Sequence, residues 1–182
     1  LPPLLASLSA QGEKDFRVLM QDDGSRDGTL ALLKSQAEAD SRFLLTADAS
    51  PARLRGAIGN FWSLLGQSRG DYTALCDQDD VWHPDKVRLT LRLMEQAETD
   101  PALPVLVHTD LRVVDGQLHE MDPSFQHYSG LDGHRLALEQ LLVQNVVTGC
   151  TMMINRSLAR LACRPVGEGD MLMHDWWLAL IA

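Results

Sequence analysis

Paired cysteines, excess positive charge and long apolar runs are all missing from this chain, and each absence removes a class of function. Its three cysteines, Cys76, Cys150 and Cys163, are odd in number and far apart, with no Cys-x-x-Cys pair. Neither a disulfide framework nor a thiolate zinc site is indicated, and the thiols are expected to be reduced and in or near the core. Lysine and arginine number 16 against 25 acidic residues, a net charge of −9. Such a balance argues against a nucleic-acid partner and against attraction to an anionic membrane surface. No apolar stretch approaches the ~20 residues that span a bilayer, and the start, Leu1-Pro2-Pro3-Leu4-Leu5, lacks the charged n-region of a signal peptide. The expected location is cytoplasmic, with room for peripheral association of the full-length protein at the inner face of the membrane. No internal repeat or low-complexity tract is present.

What the chain does have is a folded-protein apolar fraction of 45% over 182 residues, the length of one domain with a real core. Residues 1–182 are therefore expected to form a single domain. The chain starts at Leu1 and stops inside the run Trp176-Trp177-Leu178-Ala179-Leu180-Ile181, so it is expected to be cut at both ends.

Periodicity gives an alternation of elements. Leu4, Leu5 and Leu8 predict an opening helix behind Pro2 and Pro3. Strands are expected at Asp15–Gln21, Arg42–Thr46, Tyr72–Cys76, Val105–Thr109, Leu111–Val114 and Val146–Ile154. Asp115-Gly116 should turn the chain into Gln117-Leu118. Helices are expected at Thr29–Ala39, Ala57–Gln67 and Arg135–Val143, and at a stretch marked by Val87, Leu91, Met94 and Ala97, with Pro84 at its first helical position. Strands alternating with helices predict an α/β fold with a mostly parallel central sheet flanked by helices.

Two acidic clusters follow short apolar runs: Asp22 and Asp23 after Phe16–Met20, and Asp77, Asp79 and Asp80 after Tyr72–Cys76. If those runs are neighbouring strands, five carboxylates gather at the carboxyl edge where open α/β sheets hold ligands. The chemistry expected there is a divalent cation with phosphates. A helix-capping acidic loop is the structural alternative for the second cluster. Asp23-x-Ser25-x-Asp27-Gly28 also imitates the start of a calcium loop, but Lys34 stands where its bidentate Glu belongs. Asp27 can equally be a helix N-cap.

Four motifs together, Asp22-Asp23-Gly24-Ser25-x-Asp27-Gly28-Thr29, Asp77-Gln78-Asp79-Asp80-Val81-Trp82-His83-Pro84-Asp85-Lys86, Thr148-Gly149-Cys150 and His174-Asp175-Trp176-Trp177, resemble in order and spacing the family 2 glycosyltransferases. The nearest likeness is the rhamnosyltransferase branch that builds bacterial surface polysaccharide. The resemblance implies a GT-A fold, Mg²⁺ or Mn²⁺ as cofactor, a UDP- or dTDP-sugar donor, a glycan or lipid-linked acceptor, and transfer with inversion. By position, Asp22 and Asp23 would meet the nucleobase or ribose. Asp77 and Asp79 would form the Asp-x-Asp motif for metal and ribose-diphosphate, with Asp80 in support. Asp175 would be the catalytic base. The family's first strand would precede Leu1, and the segment closing the acceptor side would follow the base motif.

The residues suit that chemistry. A diphosphate leaving group carries charge that a hard cation on carboxylate oxygens offsets. An attacking hydroxyl must lose a proton, and one carboxylate opposite the leaving group gives inversion. Asp175 is flanked by His174, Trp176 and Trp177, whose indoles can stack on sugar faces or, alternatively, fill the core of a helix that Asp175 caps. Asn60, Arg53 and Arg55 are candidates for nucleotide contact, with a solvated loop as the alternative for the arginines. Gly149 either lets backbone approach the donor sugar or marks tight packing. His83, His108, His119 and His127 show no ligand spacing, although one of the later ones could complete a metal shell. Two other function classes stay open: a non-catalytic sugar-nucleotide or glycan-binding module, and a Mg²⁺-dependent aspartyl phosphotransfer domain.

Overall fold

The computed structural model describes residues 1–46, 56–163 and 173–182. They fall into two compact units, the first formed by Leu1–Gly70 with Gln78–Leu89, the second by Asp71–Asp77 with Thr90–Ala182. Arg53 and Arg55 lie outside the described residues.

In the first unit, α1 (Pro2–Ser9) starts on two prolines, whose fixed φ and missing N–H are harmless where no intrahelical acceptor exists. Its Leu4, Leu5 and Leu8 are buried. Strand β1 (Val18–Met20) leads through α2 (Thr29–Ala39) to β2 (Phe43–Leu45), and β1 and β2 pair in parallel, Val18 opposite Phe43 and Met20 opposite Leu45. Only a crossover connection such as α2 can join parallel neighbours. Helix α3 (Gly56–Gln67) follows. Helix α4 (Lys86–Ala97), of which this unit takes the residues up to Leu89, begins two residues later than Pro84 predicts. Pro84 and Asp85 form a turn, closed by Lys86 N–H donating to the His83 carbonyl at 2.9 Å.

The second unit holds a three-stranded sheet in the order β3 (Tyr72–Ala74), β7 (Met152–Asn155), β4 (Leu106–His108). Strand β7 is antiparallel to both neighbours, so β3 and β4 run the same way. The parallel component expected of the sheet is the β1–β2 pair, and the two strands that end in acidic clusters belong to different sheets. Met94, Val107 and Met153 form a buried cluster, with Tyr72, Ala74 and Val105 packed on it.

Several boundaries differ from the sequence expectation for local reasons. Val146–Ile154 is not one strand. Thr151 N–H and hydroxyl both donate to the Thr148 carbonyl, at 3.0 and 2.7 Å, and wind Gly149–Thr151 into a 3-10 turn before β7. The hairpin β5 (Val113–Val114) and β6 (Glu120–Asp122) has a longer turn than Asp115-Gly116 suggests. Asp115 Oδ1 accepts the N–H groups of Gln117 and His119, holding Gln117 and Leu118 inside the turn. The helix expected over Arg135–Val143 shrinks to α6 (Leu138–Leu141), whose naming follows α5 (Phe125–Ser129), a short helix capped by Ser124 and ended by Gly130 at φ +64°. Helix α7 (Arg156–Ala162) starts from an Asn155 cap, and α8 (His174–Ile181) carries the last motif.

Candidate active site

The exit of β1 is held by its own acids. Asp22 Oδ2 accepts the N–H groups of Gly24, at 3.1 Å, and Ser25, at 3.0 Å, a turn that Gly24 completes at φ +90°. Asp23 Oδ2 accepts the N–H of Gly56 at 2.8 Å, tying the first residue of α3 to the end of β1. Asn60, one turn further along α3, donates from Nδ2 to the Gln21 carbonyl at 3.4 Å. Asp22, Asp23 and Asn60, all read as nucleotide contacts, are thus brought to the same strand end and are half-buried there. Asp27 is not the N-cap of α2; that place is Gly28's. Asp27 Oδ1 accepts the Thr29 N–H at 3.0 Å, and hydrogen bonds from Thr29 hold its carboxyl below the usual range.

The Asp-x-Asp stretch is divided between the units at Asp77 and Gln78. In the first unit Asp79 is exposed and Asp80 half-buried, in the loop that leads to Trp82 and α4. Trp82 is buried, with the Lys86 ammonium 4.9 Å from its ring centroid, a cation–π contact.

In the second unit Asp77 follows β3 and is half-buried. A carboxylate oxygen of Asp77 lies within 4.8 Å of the Cys150 sulfur. Gly149, the residue before Cys150, is buried in the 3-10 turn, and a Cβ placed on it would stand 3.1 Å from His174 Nε2, 3.5 Å from Asp175 Cβ and 3.8 Å from Asp175 Oδ2. The Thr148-Gly149-Cys150 and His174-Asp175 motifs are therefore in contact, and the cysteine of the first reaches Asp77. Tight packing, against His174 and Asp175, is what Gly149 shows here.

Asp175 is not a helix cap. Met173 is the N-cap of α8, and Asp175 sits in the first turn, where a carboxylate favours the positive end of the helix dipole. Its Oδ1 accepts the Trp176 N–H at 2.7 Å. His174 is buried; burial pushes its imidazole below the ordinary value, and the Asp175 charge opposes that. Trp176 Nε1 donates to the Leu141 carbonyl at 2.6 Å, so the indole edge is fixed against α6. Trp177 is half-buried beside it in sequence.

Asp77 and Asp79 offer hard carboxylate oxygens, the donor type that Mg²⁺ and Mn²⁺ take alongside water and substrate phosphates. The half-buried Asp77 carboxylate fits such an ion, whereas the Cys150 sulfur near it is a soft donor of the kind these ions do not favour.

One neighbour of Asp77, Cys150, was not legible as a site residue. Cys150 reads in the sequence as a core thiol, and only its place in the Thr148-Gly149-Cys150 motif hints at more. His108 ends β4, half-buried, and burial lowers its imidazole pKa. Nothing in its spacing gave it a role.

Comparison with known proteins bears on the family of the chain. The family model described as Glycosyl transferase family 2 matches residues 1–161, most of the chain, and ends before Asp175. The amylovoran biosynthesis glycosyltransferase AmsB of Erwinia amylovora is 28% identical over 120 residues, which cover 65% of this chain and 40% of that protein. The dTDP-rhamnosyl transferase RfbG of Shigella flexneri is 29% identical over 87 residues, 46% of this chain and 30% of that protein. Among the described residues no helix is long and apolar enough to cross a membrane. With four motifs in order and a family match over residues 1–161, the chain belongs to glycosyltransferase family 2 and has the α/β, GT-A fold of that family.

Proposed function

We propose that residues 1–182 serve one catalytic domain that transfers a sugar, with inversion, from a nucleotide-diphosphate donor to a glycan or lipid-linked acceptor. The observation that carries this reading is the seating of Gly149 against His174 and Asp175, with the next residue, Cys150, within reach of Asp77. It joins a carboxylate suited to the donor diphosphate and a carboxylate suited to the acceptor through two consecutive residues.

In this reading Asp22, Asp23 and Asn60 bind the nucleoside, and Asp77 and Asp79 hold Mg²⁺ or Mn²⁺ with Asp80 behind them. The cation, when bound, offsets the charge that builds on the departing diphosphate. Asp175 takes the proton of the attacking acceptor hydroxyl, and a base acting on the face opposite the leaving group inverts the anomeric centre. His174, kept neutral by burial, leaves the Asp175 charge uncompensated by an adjacent cation. Trp176 and Trp177 line the acceptor side.

The name of one relative supports a dTDP-rhamnosyl donor as the first to try, and the motif resemblance suggests surface polysaccharide as the product class. A cytoplasmic location, at the inner face of the membrane, suits a lipid-linked acceptor. The use of the Asp22 carboxylate by two backbone N–H groups supports a turn-forming role over that of a phosphoryl acceptor.

The test is calorimetric titration of the full-length protein with UDP- and dTDP-sugars in Mn²⁺, in Mg²⁺ and in chelator. Binding should require the metal and fall by about a hundredfold in Asp79→Ala, the upper range for losing metal-site support. Equal affinity in chelator would overturn the metal assignment.

A further inference from the structure

The segment that follows Asp79 and Asp80 is held by the end of α1, seventy-odd residues away in the chain. Gln11 is completely buried. Its Nε2 donates to the Ser7 carbonyl at 3.2 Å and to the His83 carbonyl at 2.8 Å, and its Oε1 accepts the Val87 N–H at 3.1 Å. Ser7 Oγ accepts the Trp82 N–H at 3.0 Å, and Gly12 N–H donates to the Pro84 carbonyl at 2.8 Å. All of these residues belong to the first unit. Residues Ser7 to Gly12 thus fasten Trp82, His83, Pro84 and Val87 one after another.

The chemistry of Gln11 is specific. Val87 N–H is one of the donors that the first turn of a helix leaves without an intrahelical acceptor. A Ser, Thr, Asp or Asn at the helix start usually serves it; here the buried amide of Gln11, two residues past the end of α1, does. Both Gln11 donors and its acceptor are used, and an apolar residue of equal size would strand the Val87 N–H in a site that excludes water and leave the His83 carbonyl with the Lys86 N–H alone. Trp82, fixed through Ser7, is two residues from Asp80 and three from Asp79, so the anchor sets where the acidic loop ends.

We propose that Gln11 is a positioning residue for the Asp79 and Asp80 carboxylates, and that it sets the affinity for the divalent cation and, through it, for the donor diphosphate. The proposal rests on the reading of Asp79 as a cation ligand. Groups that orient a metal's ligands weaken metal affinity by about 10- to 100-fold when removed, and Gln11 acts on the Asp79–Asp80 loop in that manner.

The experiment measures Mn²⁺ binding to the full-length protein by the spectrum of free Mn²⁺ in titration, with and without UDP, below the melting temperature of each variant. Gln11→Leu should weaken Mn²⁺ about tenfold or more. Met153→Ala, a core substitution in the second unit, should lower the melting temperature and leave Mn²⁺ affinity at the wild-type value. Gln11→Glu keeps both an acceptor and a donor only when protonated, which burial favours. Its Mn²⁺ affinity relative to wild type should therefore recover as the pH is lowered. Wild-type Mn²⁺ affinity in Gln11→Leu, or a Gln11→Glu affinity that stays below wild type by the same ratio at every pH, overturns the positioning role if Asp79→Ala weakens binding in the same assay. Wild-type affinity in Asp79→Ala overturns the underlying site reading instead.

Discussion

Gly149 and His174 are so close that a methyl group on the glycine would lie 3.1 Å from the imidazole Nε2, tighter than side chains normally pack. Gly149 does not have positive φ, so backbone freedom is not the reason for glycine here. Space is. Gly149→Ala must push His174 outward by a few tenths of an ångström, and Asp175, in ordinary contact at 3.5 Å, is the next residue in the chain. An overpacked site of this kind costs about 1–3 kcal/mol of stability, and a displaced base costs up to about a hundredfold in turnover. Thermal melting and steady-state kinetics on the same sample check both; wild-type turnover in Gly149→Ala would show that the contact does not set the position of Asp175.

Buried imidazoles give stability a pH dependence with a definite sign. His174 and His108 are both lowered from 6.5 by burial. The unfolded chain therefore takes up protons as the pH falls through about 6.5, while the folded chain does so only at lower pH. Their contribution is complete above that value and is lost as the pH drops through the folded-state values. Urea denaturation on either side of the transition should show wild type weakening in acid, and His174→Gln weakening less. Identical pH slopes would place His174 in an environment as wet as the unfolded chain.

At the start of β3, away from the acids that follow its end, a separate polar network should govern stability alone. Asn155 is buried, with Nδ2 donating to Glu98 Oε1 at 2.7 Å and to the Leu103 carbonyl at 2.8 Å, and Oδ1 accepting the N–H groups of Val105 and Leu158. Tyr72 hydroxyl donates to Glu98 Oε2 at 2.6 Å, and that carboxylate pushes the phenol up to about 12. Asn155→Leu strands several groups at once and should cost about 3 kcal/mol, whereas Tyr72→Phe removes one hydrogen bond and should cost about 1 kcal/mol. Equilibrium unfolding measures both, and the kinetic constants of Tyr72→Phe should match wild type. A Tyr72→Phe enzyme with altered kinetics would extend the site to this end of the sheet.

What the sequence disclosed follows the range of the forces involved. Thr29–Ala39 was readable to the residue because a turn-rich stretch ending in Gly28 and an apolar spacing are both local. The family was readable because each of its motifs is contiguous. Partner strands were not: nothing in Met152–Asn155 announces that it enters between β3 and β4 in the opposite direction, since that depends on pairing with distant chain. Val146 to Ile154 is apolar enough for one strand, yet two hydrogen bonds to the Thr148 carbonyl and the room taken by His174 turn it at Gly149. Asp22 and Asp23 look alike in sequence, and only the φ of Gly24 decides that the first closes a turn while the second reaches Gly56. Gln11 had no signal at all, because every long-range partner it has is more than seventy residues away.

The central claim is that Asp175 removes the acceptor proton while the donor is held elsewhere. Its most direct test is Asp175→Asn in the full-length protein, with donor affinity and transfer measured side by side. Loss of a general base predicts turnover lower by about 10²–10⁴-fold with donor affinity unchanged. Undiminished transfer by Asp175→Asn would contradict the assignment of the base and, with it, the proposed mechanism.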